Sequence, residues 1–279
     1  MTLAFFALGT AAAFGQTFYG VTRDNRLVSF DRNTPGTITS NVAISGAGGD
    51  DILGIDFRPA TGQLYALGSS SRLYTVDTST GAATAVGGQF STLLDGTEFG
   101  FDFNPTVDRV RITSNTGQNL RANPVTGGIA AVDTNLAYAA GDANFGVSPH
   151  VVGSAYTNNF VGGGTTTLYN IDSNLDVLVT QVPPNNGALN TVGSLGLNVS
   201  RLVGFDILGV GDAYASFILE GGSGTGLYGI NLASGQATGL GMIGSGLSLR
   251  DLAVVPEPAS CLVLAGGLLG LMRRRRAKS

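Results

Sequence analysis

Four aspartates of this chain recur in one short context, and that repetition is its most chemical feature. Gly54-Ile55-Asp56-Phe57-Arg58-Pro59 returns as Gly100-Phe101-Asp102-Phe103-Asn104-Pro105, and a shorter copy reads Gly204-Phe205-Asp206-Ile207. Arg250-Asp251-Leu252-Ala253 resembles the same unit near the end of the domain, so Asp251 is expected at the same position as the other three. Carboxylates gathered by a repeat could hold a hard cation such as Ca²⁺, which takes oxygen ligands. The alternative is that each aspartate bonds the backbone of its own repeat or a neighbouring arginine. A further copy, Gly153-Ser154-Ala155-Tyr156, carries no acid and would break a complete ring of ligands.

Other chemistry has few residues to draw on. Between residues 16 and 255 the only glutamates are Glu98 and Glu220. They are the candidates for a glycosidase-like carboxylate pair, although no motif joins either of them to an aspartate. The only histidine, His150, follows Pro149 in an expected loop, and no Gly-x-Ser-x-Gly elbow is present to hold a serine nucleophile. The only cysteine, Cys261, lies in an apolar tail, which excludes disulfides, thiol catalysis and cysteine metal sites from the domain. The loop Gly46-Ala47-Gly48-Gly49-Asp50-Asp51 is similar to a calcium-binding repeat but occurs once, so it is read as a flexible loop.

The elements that must position these residues follow from the period. A second unit trails each copy: Leu73-Tyr74-Thr75-Val76-Asp77, Leu120-Arg121-Ala122-Asn123, Leu168-Tyr169-Asn170-Ile171-Asp172 and Leu227-Tyr228-Gly229-Ile230-Asn231. The leading leucines are 47, 48 and 59 residues apart, the span of one four-stranded propeller blade. Asp77, Asn123 and Asn231 are each followed four residues later by Gly81, Gly127 and Gly235, which predicts Asx-initiated turns into a fourth strand. The N-terminal units Phe18–Val21 and Leu27–Asp31 read as second and third strands with no first strand before them. Arg250–Val255 supplies it. The expected fold is therefore an all-β, five-bladed propeller closed by pairing of its terminal strands, with a β-sandwich or a sixth blade as alternatives. Its blades are Asp251–Val255 with Phe18–Asp50, then Asp51–Thr97, Glu98–Pro149, His150–Ser200 and Arg201–Leu249.

Composition agrees with an exported fold. Residues 16–255 hold ten arginines, no lysine, sixteen aspartates and two glutamates, a net charge of −8 that excludes a nucleic-acid partner. A hydrophobic fraction of 43% is too high for a disordered chain. Tyr65, Tyr74, Tyr156, Tyr169, Tyr214 and Tyr228 could stack on sugar rings, but they occupy strand positions where burial is commoner. Residues 1–15 form an apolar, Ala-rich leader ending in Ala13-Phe14-Gly15. It lacks a basic start and is read as a signal peptide whose beginning is truncated.

After Val255 come Pro256-Glu257-Pro258, an apolar stretch from Ala259 to Met272, and a basic tail, 273–279, that begins with Arg273, Arg274, Arg275 and Arg276. As a helix the apolar stretch spans about 21 Å, against roughly 30 Å of hydrocarbon. It is short for a permanent anchor, and the arginines mark its cytoplasmic end. The order of these three parts closely resembles the PEP-CTERM sorting signal of exopolysaccharide-producing Gram-negative bacteria. The resemblance implies an inner-membrane-anchored precursor processed by an exosortase. The domain before it resembles an uncharacterised bacterial family of repeat β proteins, which implies a fold and no activity. Two functions are consistent with all of this. One is a non-catalytic surface or matrix propeller associated with exopolysaccharide or another surface glycan, and the other is a secreted carbohydrate-active enzyme.

Overall fold

The structure, a computed structural model, describes residues 15–256. The leader, Glu257, Pro258, the expected membrane segment 259–272 and the arginines 273–276 lie outside the described residues. The described chain is an all-β, five-bladed propeller. Its strands come in chain order: β1 (Thr17–Thr22), β2 (Arg26–Asp31), β3 (Ile38–Ala43), β4 (Ile52–Phe57), β5 (Leu64–Gly68), β6 (Arg72–Val76), β7 (Ala83–Val86), β8 (Phe99–Asn104), β9 (Arg109–Ser114), β10 (Asn119–Ala122) and β11 (Ile129–Val132). They continue with β12 (Ala137–Tyr138), β13 (Val151–Tyr156), β14 (Leu168–Asp172), β15 (Val177–Gln181), β16 (Ala188–Ser194), β17 (Val199–Leu208), β18 (Asp212–Leu219), β19 (Thr225–Ile230), β20 (Ala237–Met242) and β21 (Leu249–Val254).

Each blade is an antiparallel sheet whose first strand lines the axis. The innermost strands β21, β4, β8, β13 and β17 touch their neighbours around a closed ring. Closure is as the termini predict: β21 pairs with β1, matching Phe18 with Val254 and Tyr19 with Ala253. That pairing leaves no free edge at the junction of the chain ends. One blade departs from the expected boundaries. The short β12, from the stretch assigned to the third blade, crosses to the fourth and pairs in parallel with β16, giving that blade a fifth strand.

The core lies between blades, because each sheet has two faces and both must be covered. Leu67 and Leu73 of the second blade pack with Phe101, Phe103 and Ile112 of the third, and equivalent clusters fill the first–second, fourth–fifth and fifth–first junctions. The third and fourth blades meet instead through polar contacts such as Thr113 Oγ1 with Ser154 Oγ at 2.7 Å. The outer turns tie the blades further. Asp77, Asn123 and Asn231 each accept backbone N–H bonds two and three residues ahead, as Asx turns require. Gly127 has φ +72°, and a Cβ there would stand 1.7 Å from the Val86 carbonyl oxygen of the preceding blade. Glycine is thus required both by the turn and by the approach of the adjacent strand.

Candidate functional site: the axial carboxylates and the mouth of the ring

An innermost strand has a partner on one side only, so its other edge turns N–H groups toward the axis, where each needs an acceptor. Asp56 Oδ2 accepts from Phe103 N of the next blade at 2.8 Å, and Asp56 Oδ1 from its own neighbour Phe57 N at 2.6 Å. Asp102 Oδ1 accepts from Tyr156 N at 3.1 Å. Asp206 repeats the first pattern, bonding Val254 N and Ile207 N, each at 2.6 Å. Five equivalent amides, one per blade, are thereby served by three carboxylates. Phe57 and Ile207 bond their own aspartates because the preceding blades carry Ala253 and Ala155 where an acid would reach them. Six oxygens meet five amides, and the oxygen left over, Asp102 Oδ2, is buried without a partner.

The strand register corrects the placement of Asp251. Asp56, Asp206 and Ala155 stand opposite Tyr65, Tyr214 and Tyr169 on their second strands. The residue opposite Tyr19 is Ala253, while Asp251 faces Val21. Asp251 therefore sits two residues earlier, at the level of Gly54, Gly100, Gly153 and Gly204. From there it bonds Ile55 N and Leu252 N, both at 2.8 Å. The missed signal is the glycine two residues before each true repeat aspartate, a position that Asp251 itself fills. Those glycines let the blades close on the axis: a Cβ on Gly204 would lie 2.4 Å from Leu252 N.

Oxygens of Asp56, Asp102 and Asp206 come within 4.8 Å of one another, and all three residues are buried. Burial first, and then mutual repulsion, raise the carboxyls of Asp56 and Asp102 well above the ordinary range. Burial pushes Asp206 up to about 6, with its two amides and the Asn159 side chain opposing the shift. Asp251 is also raised well above that range, chiefly by burial. No arginine neutralises the cluster. Arg111, paired across the sheet with Asp102, sends its buried guanidinium instead to Asp133, Asn119 and Asn185 at 2.6–2.8 Å. Neither Arg111 nor this network was singled out by the repeat, because the other four second strands carry tyrosine there, Tyr19, Tyr65, Tyr169 and Tyr214.

Antiparallel alternation places the start of every innermost strand, and every turn from second to third strand, at one end of the ring. This end is the mouth. It gathers Arg23, Glu98, His150, Arg201, Glu220 and Arg250, which are spread over the whole chain. Burial pushes the Glu98 carboxyl above its ordinary value, while Arg250, Arg201 and Arg23 pull it down. Arg250 reaches Asp51 at 3.3 Å, yet its buried Nε has no partner. Beside them a groove of about 280 Å³ is lined by His150, Ser173, Asp176, Ser200, Arg201 and Glu220, among others. Glu98 is half-buried and Glu220 exposed, and the two belong to different blades.

His150 is held in a form unsuited to activating Ser173. Asn115 Oδ1 accepts from Thr97 N and Glu98 N, which turns its Nδ2 toward His150 Nε2 at 3.3 Å. Nε2 is then the acceptor, and Nδ1–H donates to Ser173 Oγ at 3.0 Å. Asp50 of the Gly-rich loop is occupied in binding Ser70 and Tyr74, so that loop is a structural brace. Of the six tyrosines considered for sugar stacking, Tyr65, Tyr74, Tyr156 and Tyr214 are buried. Tyr169 and Tyr228 pack against a core cluster.

The repeat units and the ring they build agree with a family described as a domain of unknown function, DUF4394, which matches residues 26–253. The chain belongs to the DUF4394 family. Residues 254–276 match the PEP-CTERM protein-sorting motif. This DUF4394 chain therefore carries the signal of an exported protein that an exosortase recognises and that is anchored through its C-terminus before processing. No curated protein matches it. A structural-genomics protein of unknown function from Bacteroides thetaiotaomicron is 14% identical, with a TM-score of 0.52 over 89% of this chain and 67% of that one. Dihydro-heme d1 dehydrogenase NirN (11% identity, TM-score 0.40) aligns with 85% of this chain, which spans only 46% of NirN. A chain of a nidogen/laminin complex (10% identity, TM-score 0.41) aligns over 86% of this chain and 98% of its own length. At 14% identity the likeness to the Bacteroides protein shows the fold alone, and the other two, with TM-scores of 0.40 and 0.41, carry no argument.

Proposed function

We propose that this protein is a non-catalytic matrix propeller that binds an acidic exopolysaccharide at its mouth. The observation that carries this reading is the convergence of Arg23, Arg201 and Arg250 on Glu98 in a domain whose overall charge is −8. Guanidinium groups match carboxylate and sulfate geometry, and Arg201 is exposed to present one. Hydroxyl and amide side chains of the adjoining groove suit sugar hydroxyls. The last innermost strand runs from the mouth to the opposite end, where Pro256 leaves the ring. In the anchored precursor the mouth therefore faces away from the tail.

Binding assays with the purified protein test the reading. Acidic polysaccharide should bind in a salt-sensitive manner, with Arg201→Ala weakening it about tenfold. Equal binding of neutral glycans, unchanged by Arg201→Ala, would overturn it. The sorting half has its own test: deletion of Pro256 to Pro258 should leave unprocessed precursor in the inner membrane.

A second reading is favoured by Glu220 and Asp176 lining one groove and by the raised Glu98 carboxyl. It is a glycosidase-like enzyme. Sugar release that disappears in Glu98→Gln or Glu220→Gln would establish it in place of the first.

A further inference from the structure

The axial cluster presents an electrostatic problem that the protein's own residues leave open. Three carboxylates are buried with oxygens within 4.8 Å of each other, and none of them forms an ion pair among the described residues. Backbone N–H bonds satisfy five of their six oxygens but supply only partial charge. Uncompensated charge in so dry a place is strongly unfavourable.

A second observation points to what is missing. Asn159 is 4% exposed, its side chain lies against Asp206, and its Oδ1 has no partner. Asp102 Oδ2 is likewise buried and unpartnered. Both orphaned atoms are acceptors, and both belong to the group around Asp206. Two buried acceptors without donors, beside three carboxylates, call for a cation. Protein N–H groups could have filled these positions at little cost, as they do at the other five oxygens.

We propose that Asp56, Asp102 and Asp206, together with Asn159, hold one calcium ion on the propeller axis. All donors are oxygens, the set preferred by a hard cation. Calcium–oxygen bonds of about 2.3–2.6 Å put ligands on opposite sides of the ion roughly 4.6–5.2 Å apart, which the cluster spacing accommodates. Magnesium keeps several waters, and the buried axis favours the ion that sheds them. The ion would join the second, third and fifth blades, whose innermost strands are far apart in sequence. Ala155 and Ala253 hold the remaining two strand positions, so the carboxylates approach from three of five directions, and Asn159, between β13 and β14, adds the fourth blade.

The test uses the full chain, purified in mild detergent without chelator and dialysed against about 1 mM CaCl₂, a concentration suited to extracellular calcium modules. Elemental analysis should find one calcium per chain, and removal by EDTA should lower the Tm by about 5–10 °C, reversibly. Asp102→Asn keeps the Oδ1 bond to Tyr156 N and should fold, but with no bound calcium and a Tm indifferent to calcium and EDTA. Asn159→Ala disturbs none of the five amide bonds and should weaken calcium binding about tenfold. It serves if Asp102→Asn fails to fold. Wild-type protein that takes up no calcium and shows no calcium-dependent Tm would overturn the proposal. So would an Asp102→Asn protein more stable than calcium-loaded wild type, since shared protons would then suffice to quiet the cluster.

Discussion

The axis and the mouth both collect acidic side chains from distant repeats, yet they do so by opposite means. On the axis the acids come from one repeated strand position and are locked by backbone amides, with no basic partner. At the mouth they come from loops, stand beside arginines, and remain open to solvent. The difference separates two uses of the same symmetry. A position set by strand register recurs because every blade needs it to pack. A position set by loops is free to differ from blade to blade, and there side chains of mixed type and charge can be brought together.

Substitutions should expose this contrast, most strongly on the axis. Asp56→Ala strands two buried amides, Phe57 N and Phe103 N, and should destabilise the fold by about 3–5 kcal/mol in urea unfolding. A loss under 1 kcal/mol would mean the carboxylates are not the blade staples described. Gly204→Ala should cost about 2–3 kcal/mol, because its Cβ would press on the Leu252 backbone. An unaffected Tm would show that the blades can yield at the centre.

Acid titration sharpens the comparison by using a carboxylate that does have basic partners. Asp133 is largely buried and bonds both Arg111 and Arg121. Its folded value lies below the ordinary carboxylate range because these bonds outweigh burial. Its contribution is therefore complete above the unfolded value of about 4 and is lost as pH falls through the lower folded value. Asp133→Asn should flatten the loss of stability as pH falls below about 4, measured by Tm across an acid series. An unchanged acid limb would assign acid sensitivity elsewhere. The smallest expected effect is at the mouth. Arg201→Ala should change unfolding free energy by no more than about 0.5 kcal/mol, being exposed. A large loss would make the mouth structural and erase the contrast.

Much of the architecture was legible because hydrogen bonding repeats as the sequence does. The Gly-Ile/Phe-Asp-Phe units mark first strands, the Leu-Tyr units mark third strands except in the fourth blade, where Leu168–Asp172 is the second, and Asx-to-Gly spacing marks the outer turns. Arg250–Val255 reads as the missing first strand, and it pairs as one. Asp251 was misplaced by two residues because an acid near the right spot imitates the repeat. Its alternation relative to Tyr19, visible only in the pairing, decides the register. β12 escaped notice because two residues carry no period. The mouth was not legible at all: Arg23, Arg201 and Arg250 share no motif, and only the alternation of strand direction brings them to one end.

The strand that closes the ring is also the last strand of the chain and an innermost one. Val254 is almost fully buried, its N–H is held by Asp206, and Gln16 donates to the carbonyl of Val255. Most secreted domains end in a frayed tail that exopeptidases can shorten residue by residue. Here an exopeptidase working inward from Pro256 would soon meet a strand paired with β1 and packed between the innermost strands β4 and β17 of the two neighbouring blades. Trimming past Val255 thus requires the closing strand to leave the ring first.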